Sequence, residues 1–143
     1  MGLVLFGRHQ LMQFMNKCLL HSVHYEKLEL IFISLWINVS TKKHELKLFD
    51  GSTLLKTYPI ALGKVLTPTP RGTYTIINKD TNPPPVFGAL WMGLSKPHYG
   101  IHGTNNPASI GHNMSHGCIR MYNDDVLELS SLVPIGTPVV IHE

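Results

Sequence analysis

Charged side chains are scarce in this sequence: Asp, Glu, Lys and Arg make up 15% of its 143 residues, and the formal net charge is only +3. The basic residues form no run and do not alternate with aromatic ones, which gives no indication of a nucleic-acid-binding surface. The apolar run Leu30–Ile37 is far shorter than the ~20 residues of a membrane helix, so no integral membrane span is predicted. Cysteine is rare too, and Cys18 and Cys118 alone do not make a disulfide framework.

The length and composition of the chain favour one folded domain with a short extension. Hydrophobic residues reach 43%, enough for a compact core, and the chain is too short for two such cores. The sequence pattern of residues 1–33 differs from that of the rest, and we interpret these residues as an N-terminal extension that is helical or poorly ordered. The apolar stretch Leu3–Phe6 is too short for the core of a signal peptide, so no export signal is evident. The domain is predicted to span residues 34–143.

The pattern from Trp36 onward is typical of β-structure, because apolar and polar residues alternate. Asp50-Gly51 separates Glu45–Phe49 from Thr53–Ile60, and this dipeptide tolerates the positive φ values of a tight hairpin turn. Further short strands are predicted over Thr73–Ile77, Leu90–Leu94, His98–His102, Cys118–Met121 and Thr137–Ile141.

One helix is predicted near the C-terminus, over residues 123–132. Asn123 is a suitable N-cap, and Asp124 and Asp125 suit the positive end of a helix. Val126 and Leu129 begin an apolar stripe at helical spacing. The sequence therefore predicts a mainly β domain with one clear helix.

The segment Tyr99–Met121 is rich in glycine and in reactive side chains and follows neither a strand nor a helix period. Such a segment is poor core material, so we interpret it as an active-site loop. Its chemically capable residues are His102, His112, His116 and Cys118.

Cys118 becomes a nucleophile if a base or a positive environment favours its thiolate. His102 and His116 are both candidate bases, and the residues alone do not separate them. The backbone N–H groups of His116, Gly117 and Cys118 can form an oxyanion hole for acyl transfer. Arg120 follows Cys118 by two residues, so on a strand both share a face, where the guanidinium can hold a substrate carboxylate.

Two other interpretations of these residues remain open. A lone cysteine is often a small hydrophobic core residue, although the neighbouring histidines and glycines favour the nucleophile. The three histidines and the cysteine are also acceptable zinc ligands, but their spacing matches no common zinc motif. No metal and no cofactor are predicted.

The stretches Ile101–Thr104 and Ser115–Met121 resemble the signature of the L,D-transpeptidase catalytic domain family, the YkuD type. The resemblance covers about residues 35–142 and includes four further stretches, Lys56–Lys64, Thr67–Gly72, Phe87–Trp91 and Val133–Val139.

This resemblance implies a β-sandwich-like domain that remodels peptidoglycan. Cys118 would attack the carbonyl at the L-centre of residue 3 of a tetrapeptide stem, release D-Ala and form a thioester. An amine of a second stem would then resolve the thioester into a 3→3 cross-link. Water as the acceptor would make the enzyme an L,D-carboxypeptidase. The alternative without enzyme activity is a non-catalytic wall-binding domain.

The resemblance also assigns roles within the loop. It implies that His102 is the base, oriented by the carbonyl of Gly103, and that the N–H groups of His116, Gly117 and Cys118 form the oxyanion hole. Arg120, Ser115 and Tyr99 are the candidate substrate contacts, with turn hydrogen bonds as the main role expected of Ser115.

The expected partners are peptidoglycan stem peptides, and a carbapenem is expected to acylate Cys118. The expected location is the bacterial cell wall or the extracytoplasmic face, including a spore, and the weakly basic surface suits such an anionic polymer.

Overall fold

Nine strands provide most of the secondary structure in residues 34–143, the part of the chain that this computed structural model describes. The predicted N-terminal extension lies outside the described residues. The strands are β1 (Leu35–Ser40), β2 (Glu45–Asp50), β3 (Thr53–Gly63), β4 (Gly72–Asp80), β5 (Trp91–Leu94), β6 (Gly100–His102), β7 (Asn113–Ser115), β8 (Ile119–Met121) and β9 (Pro138–His142). Helix α1 (Asn123–Leu132) lies between β8 and β9. In this part of the chain no helix is long and apolar enough to cross a membrane.

The hairpin of β2 and β3 confirms the turn prediction. The two strands are antiparallel, and Asp50 is opposite Thr53. Gly51 adopts a φ of +58°, in the left-handed region that glycine enters without steric cost.

The strands form one closed ring, so the sandwich-like expectation was wrong. Their order is β2-β1-β9-β4-β5-β6-β8-β3, β2 also pairs with β3, and β7 adds on at the outer side of β3. Closure follows from the length of β3: its first part pairs with β2, Ile60 and Ala61 pair with β8, and Leu62 and Gly63 pair with β7. A strand that joins both ends of the sheet removes the free edges of a sandwich.

Alternating strand residues and one face of α1 fill the core. The strands contribute Ile37, Val39, Leu46, Leu48, Ile60, Ile76, Met92, Ile101, Ile119 and Met121, all of them almost fully buried. From α1, Val126 and Leu129 are fully buried. Burial of each such side chain stabilises the fold by about 1.5–3 kcal/mol, which fixes the helix against the sheet.

Helix α1 has the predicted bounds, but its N-cap is not the predicted Asn123. Tyr122 occupies the N-cap position, and no side chain caps the helix there. Asn123 is the first helical residue, and its Oδ1 instead accepts hydrogen bonds from the backbone N–H groups of Ala89 and Thr104. At the other end, the Lys79 ammonium donates to the carbonyl of Ser130 at 2.6 Å, where a positive charge suits the helix dipole.

Candidate active site

The pairing of β6 with β8 places two of the predicted site residues, His102 and Arg120, on one face of the sheet. The two strands are parallel, with His102 opposite Arg120, so both side chains leave the sheet on the same side. Cys118 precedes Arg120 by two residues, and its Sγ lies 3.7 Å from the carbonyl oxygen of His98, beside the backbone of Gly100. The strand period predicted a shared face for Cys118 and Arg120, and the register places His102 opposite Arg120.

His102 is buried, with 3% of its surface exposed. Its Nδ1 lies 2.5 Å from the carbonyl oxygen of Gly103. A carbonyl can only accept, so Nδ1 carries the proton and Nε2 keeps its lone pair. This is the state that a general base requires. By contrast, the His116 side chain is exposed to solvent, and this difference in burial separates the two candidate bases.

Two aromatic rings enclose the His102 imidazole. Trp91 stacks on it with ring centroids 5.5 Å apart and an interplanar angle of 15°, and Phe87 meets it edge-on at 4.9 Å. The indole of Trp91 is half-buried, and Trp91 pairs with His102 across β5 and β6. In the sequence, only the position of Trp91 within the Phe87–Trp91 stretch that resembles the family indicated a place near the site.

Burial keeps both His102 and Cys118 uncharged. Burial lowers the pKa of His102 to about 4; the hydrogen bond to Gly103 opposes this shift, and the positive charge of Arg120 adds to it. Burial also raises the pKa of the Cys118 thiol, partly offset by the Gly100 backbone and by Arg120. Both shifts favour a neutral imidazole and a neutral thiol in the folded protein.

The turn before Cys118 is held by Ser115, which is 2% exposed. Its hydroxyl donates to the carbonyl oxygen of Cys118 at 2.6 Å and accepts from the N–H of Gly117 at 3.1 Å. The Gly117 N–H is therefore engaged within the turn, which leaves His116 and Cys118 as the candidate oxyanion donors. The hydroxyl of Ser115 serves the turn, as the residue type predicted, rather than projecting as a substrate contact.

Tyr99 packs directly on this turn. Gly117 has a φ of +119°, and a Cβ at that position would lie 2.7 Å from Cε1 of Tyr99 and 3.4 Å from the carbonyl oxygen of Pro68. The Lys96 ammonium lies 5.5 Å from the centroid of the Tyr99 ring. The ring thus supports the loop that carries Cys118.

Replacing Gly117 with alanine is expected to damage the site. The strained φ costs about 1–3 kcal/mol, and the added methyl displaces Tyr99 and with it the turn before Cys118. We expect acylation of Cys118 by a carbapenem to slow about 100-fold, since a displacement of about 1 Å of a reacting group costs that much in rate. The intact mass of the protein, followed against time, measures this rate.

Gly111→Ala is the matched control for that substitution. Gly111 also has a positive φ, +88°, but a Cβ there meets nothing within 4 Å. The control should lose stability and keep its acylation rate. Equal slowing in both variants would show that backbone strain, and not contact with Tyr99, is responsible.

The remaining candidates have simpler roles. His112 is exposed, and among residues 34–143 no cluster of three or more His, Cys, Asp or Glu could hold a metal ion. Arg120 is partly exposed, and its Nε is buried without a hydrogen-bond partner in the described region. A buried donor of this kind normally has a partner. The Arg120 side chain as a whole is partly exposed, so its positive charge is accessible to an anionic ligand.

The sequence model of the YkuD family, the L,D-transpeptidase catalytic domain, matches residues 34–141. The chain is 60% identical over 105 residues to the YkuD protein of Bacillus licheniformis, covering 73% of this chain and 64% of that protein. It is 58% identical over 106 residues to the YkuD protein of Bacillus subtilis, covering 74% and 65%. The chain therefore spans slightly less than two thirds of the length of these relatives.

Solved structures share the fold. The catalytic domain of the E. faecium L,D-transpeptidase superposes with a TM-score of 0.67 at 26% identity, over 77% of this chain and 98% of that one. The L,D-transpeptidase LdtMt1, solved in complex with imipenem, has a TM-score of 0.67 at 23% identity, over 76% and 59%. At 23% identity, the similarity to LdtMt1 shows only a shared fold.

Proposed function

The chain belongs to the L,D-transpeptidase catalytic domain family, and we propose that it is a cysteine-dependent L,D-transpeptidase that cross-links peptidoglycan stem peptides. One observation carries the proposal: the buried His102 has its proton fixed on Nδ1 by Gly103 and lies opposite Arg120, whose charge acts on both His102 and Cys118. That arrangement provides a thiol and a base for acyl transfer. Its substrate lies outside the cell membrane, so we propose that the protein acts at the wall.

The first half of the reaction acylates Cys118. Nε2 of His102 takes the thiol proton as Sγ bonds to the carbonyl carbon of stem residue 3. The N–H groups of His116 and Cys118 stabilise the oxyanion. The oxyanion collapses, the bond to the terminal D-Ala breaks, and its nitrogen takes the proton from the His102 imidazolium. The products are a thioester and free D-Ala.

The second half transfers the acyl group. The amine of a second stem attacks the thioester carbon and loses a proton to His102, which returns it to the departing sulfur. The positive charge of Arg120, a partly exposed residue opposite His102, suits a carboxylate of the donor stem. A 3→3 peptide bond forms and the thiol is regenerated, so no external oxidant, reductant or metal enters the balance.

Incubation with a carbapenem tests the nucleophile. We expect the intact mass to rise by one carbapenem, because ring opening by Sγ leaves the whole molecule attached to the protein. The adduct should be absent in Cys118→Ser, whose less acidic hydroxyl is a poorer nucleophile at this site. The absence of an adduct on the folded wild-type protein would contradict the proposal.

Incubation with disaccharide-tetrapeptide tests the acceptor. A cross-linked dimer with release of D-Ala supports the transpeptidase. Release of D-Ala without a dimer would identify water as the acceptor and the protein as an L,D-carboxypeptidase. Binding of the substrate with neither product would identify a non-catalytic wall-binding domain.

A further inference from the structure

The carboxamide of Asn123 lies between the two loops that surround His102. Its Oδ1 accepts one hydrogen bond from the N–H of Ala89 and another from the N–H of Thr104, each at 3.0 Å. Ala89 belongs to the loop that carries Phe87, and Thr104 follows the residue whose carbonyl holds His102. One oxygen atom therefore links both loops to the start of α1.

Two glycines create the space for this oxygen. A Cβ on Gly88 would overlap Oδ1 of Asn123 and the backbone N of Thr104. A Cβ on Gly103 would overlap the same Oδ1 and approach the N of Ala89 to 2.9 Å. The loops approach Asn123 closely only because both positions lack a side chain. The two glycines and the two hydrogen bonds thus describe one close contact around Oδ1.

The contact reaches His102 through a single peptide group. The N–H of Thr104 and the carbonyl of Gly103 are the two ends of one planar peptide. The hydrogen bond from Thr104 to Asn123 therefore fixes the plane in which the Gly103 carbonyl accepts from Nδ1 of His102. Hydrogen bonds at both ends of a peptide group also strengthen each other.

We propose that Asn123 is a positioning residue for the catalytic base: it orients the Gly103–Thr104 peptide, which in turn holds His102 with its proton on Nδ1. The inference rests on the proposed function for its catalytic meaning. Its structural part, the tautomer of His102, is measurable without any reaction.

Asn123→Ala is expected to remove the orientation of this peptide and leave Cys118 unchanged. We expect carbapenem acylation to slow about 10- to 100-fold, the effect usual for groups that orient active-site ligands. In nitrogen-15 NMR of labelled histidine, the His102 signals should move from a single Nδ1–H tautomer towards a mixture. A merely structural role would change the unfolding temperature and leave the tautomer as it is.

Asn123→Asp and Asp124→Ala are the matched variants. The aspartate keeps an oxygen acceptor between the loops, so its acylation rate at neutral pH should stay within about threefold of the wild type, since the acceptor is retained. Asp124 is exposed in the same first turn of α1, and its replacement should leave both rate and tautomer unchanged. Should the alanine variant not fold, Asn123→Ser, whose hydroxyl is too short to bridge the loops, should show the same loss.

Three results would overturn the inference: a wild-type rate in Asn123→Ala, an unchanged His102 tautomer there, or an aspartate variant as slow as the alanine variant. Failure of the proposed function has a different signature, because the wild-type protein itself would then take no carbapenem. The NMR measurement would still decide whether Asn123 orients His102.

Discussion

Replacing His102 with alanine is expected to abolish carbapenem acylation of Cys118, whereas His116→Ala is expected only to reduce its rate. General bases contribute about 10²–10⁴-fold to such reactions. Without His102 the half-buried thiol has no base, and burial already raises its pKa. The side chain of His116 is exposed, and we propose that His116 acts through its backbone N–H, which the alanine variant keeps.

The two variants control for each other, since each removes one histidine from the same loop. Intact-protein mass against time measures the rate, and circular dichroism establishes that each variant is folded. Equal rates in the wild type and His102→Ala would contradict the assignment of the base. A larger loss of acylation rate in His116→Ala than in His102→Ala would show that His116 is the base.

Acidification is expected to lower the free energy of unfolding of the wild-type protein by about 3 kcal/mol through His102 alone. The folded-state pKa is about 4, below the ordinary 6.5. Between these values the unfolded chain binds a proton that the folded chain does not, so stability falls as pH falls from about 6.5 to about 4. The size follows from about 1.4 kcal/mol for each pKa unit.

Urea unfolding of the wild type and His102→Gln between pH 7 and pH 4 measures this contribution as the difference between the two curves. Cys118→Ser keeps His102 and should retain the wild-type dependence. Identical pH dependence in the wild type and His102→Gln would show that His102 is not held neutral. The same pKa predicts that acylation declines with acid near pH 4, and not near pH 6.5.

Local features of the fold followed from the sequence because neighbouring residues determine them. The positive φ that Asp50-Gly51 permits appears at Gly51, and helix α1 has the predicted bounds. Its apolar spacing buries Val126 and Leu129. Ring closure was not predictable in this way, because it depends on β3 pairing with both β2 and β8.

In the candidate site, the sequence alone determined the chemistry available: a cysteine, two possible bases and an arginine within one glycine-rich loop, in an order that resembles a known family. The residue types alone did not separate the two bases, and the resemblance favoured His102. The tertiary structure adds that His102 is buried and His116 exposed, a difference that depends on which strands become neighbours. It also revealed Trp91 beside His102 and moved Asn123 from a predicted helix cap to a bridge between loops. Hydrogen bonds between residues far apart in sequence leave no local pattern, which is why the folded chain was needed to find them.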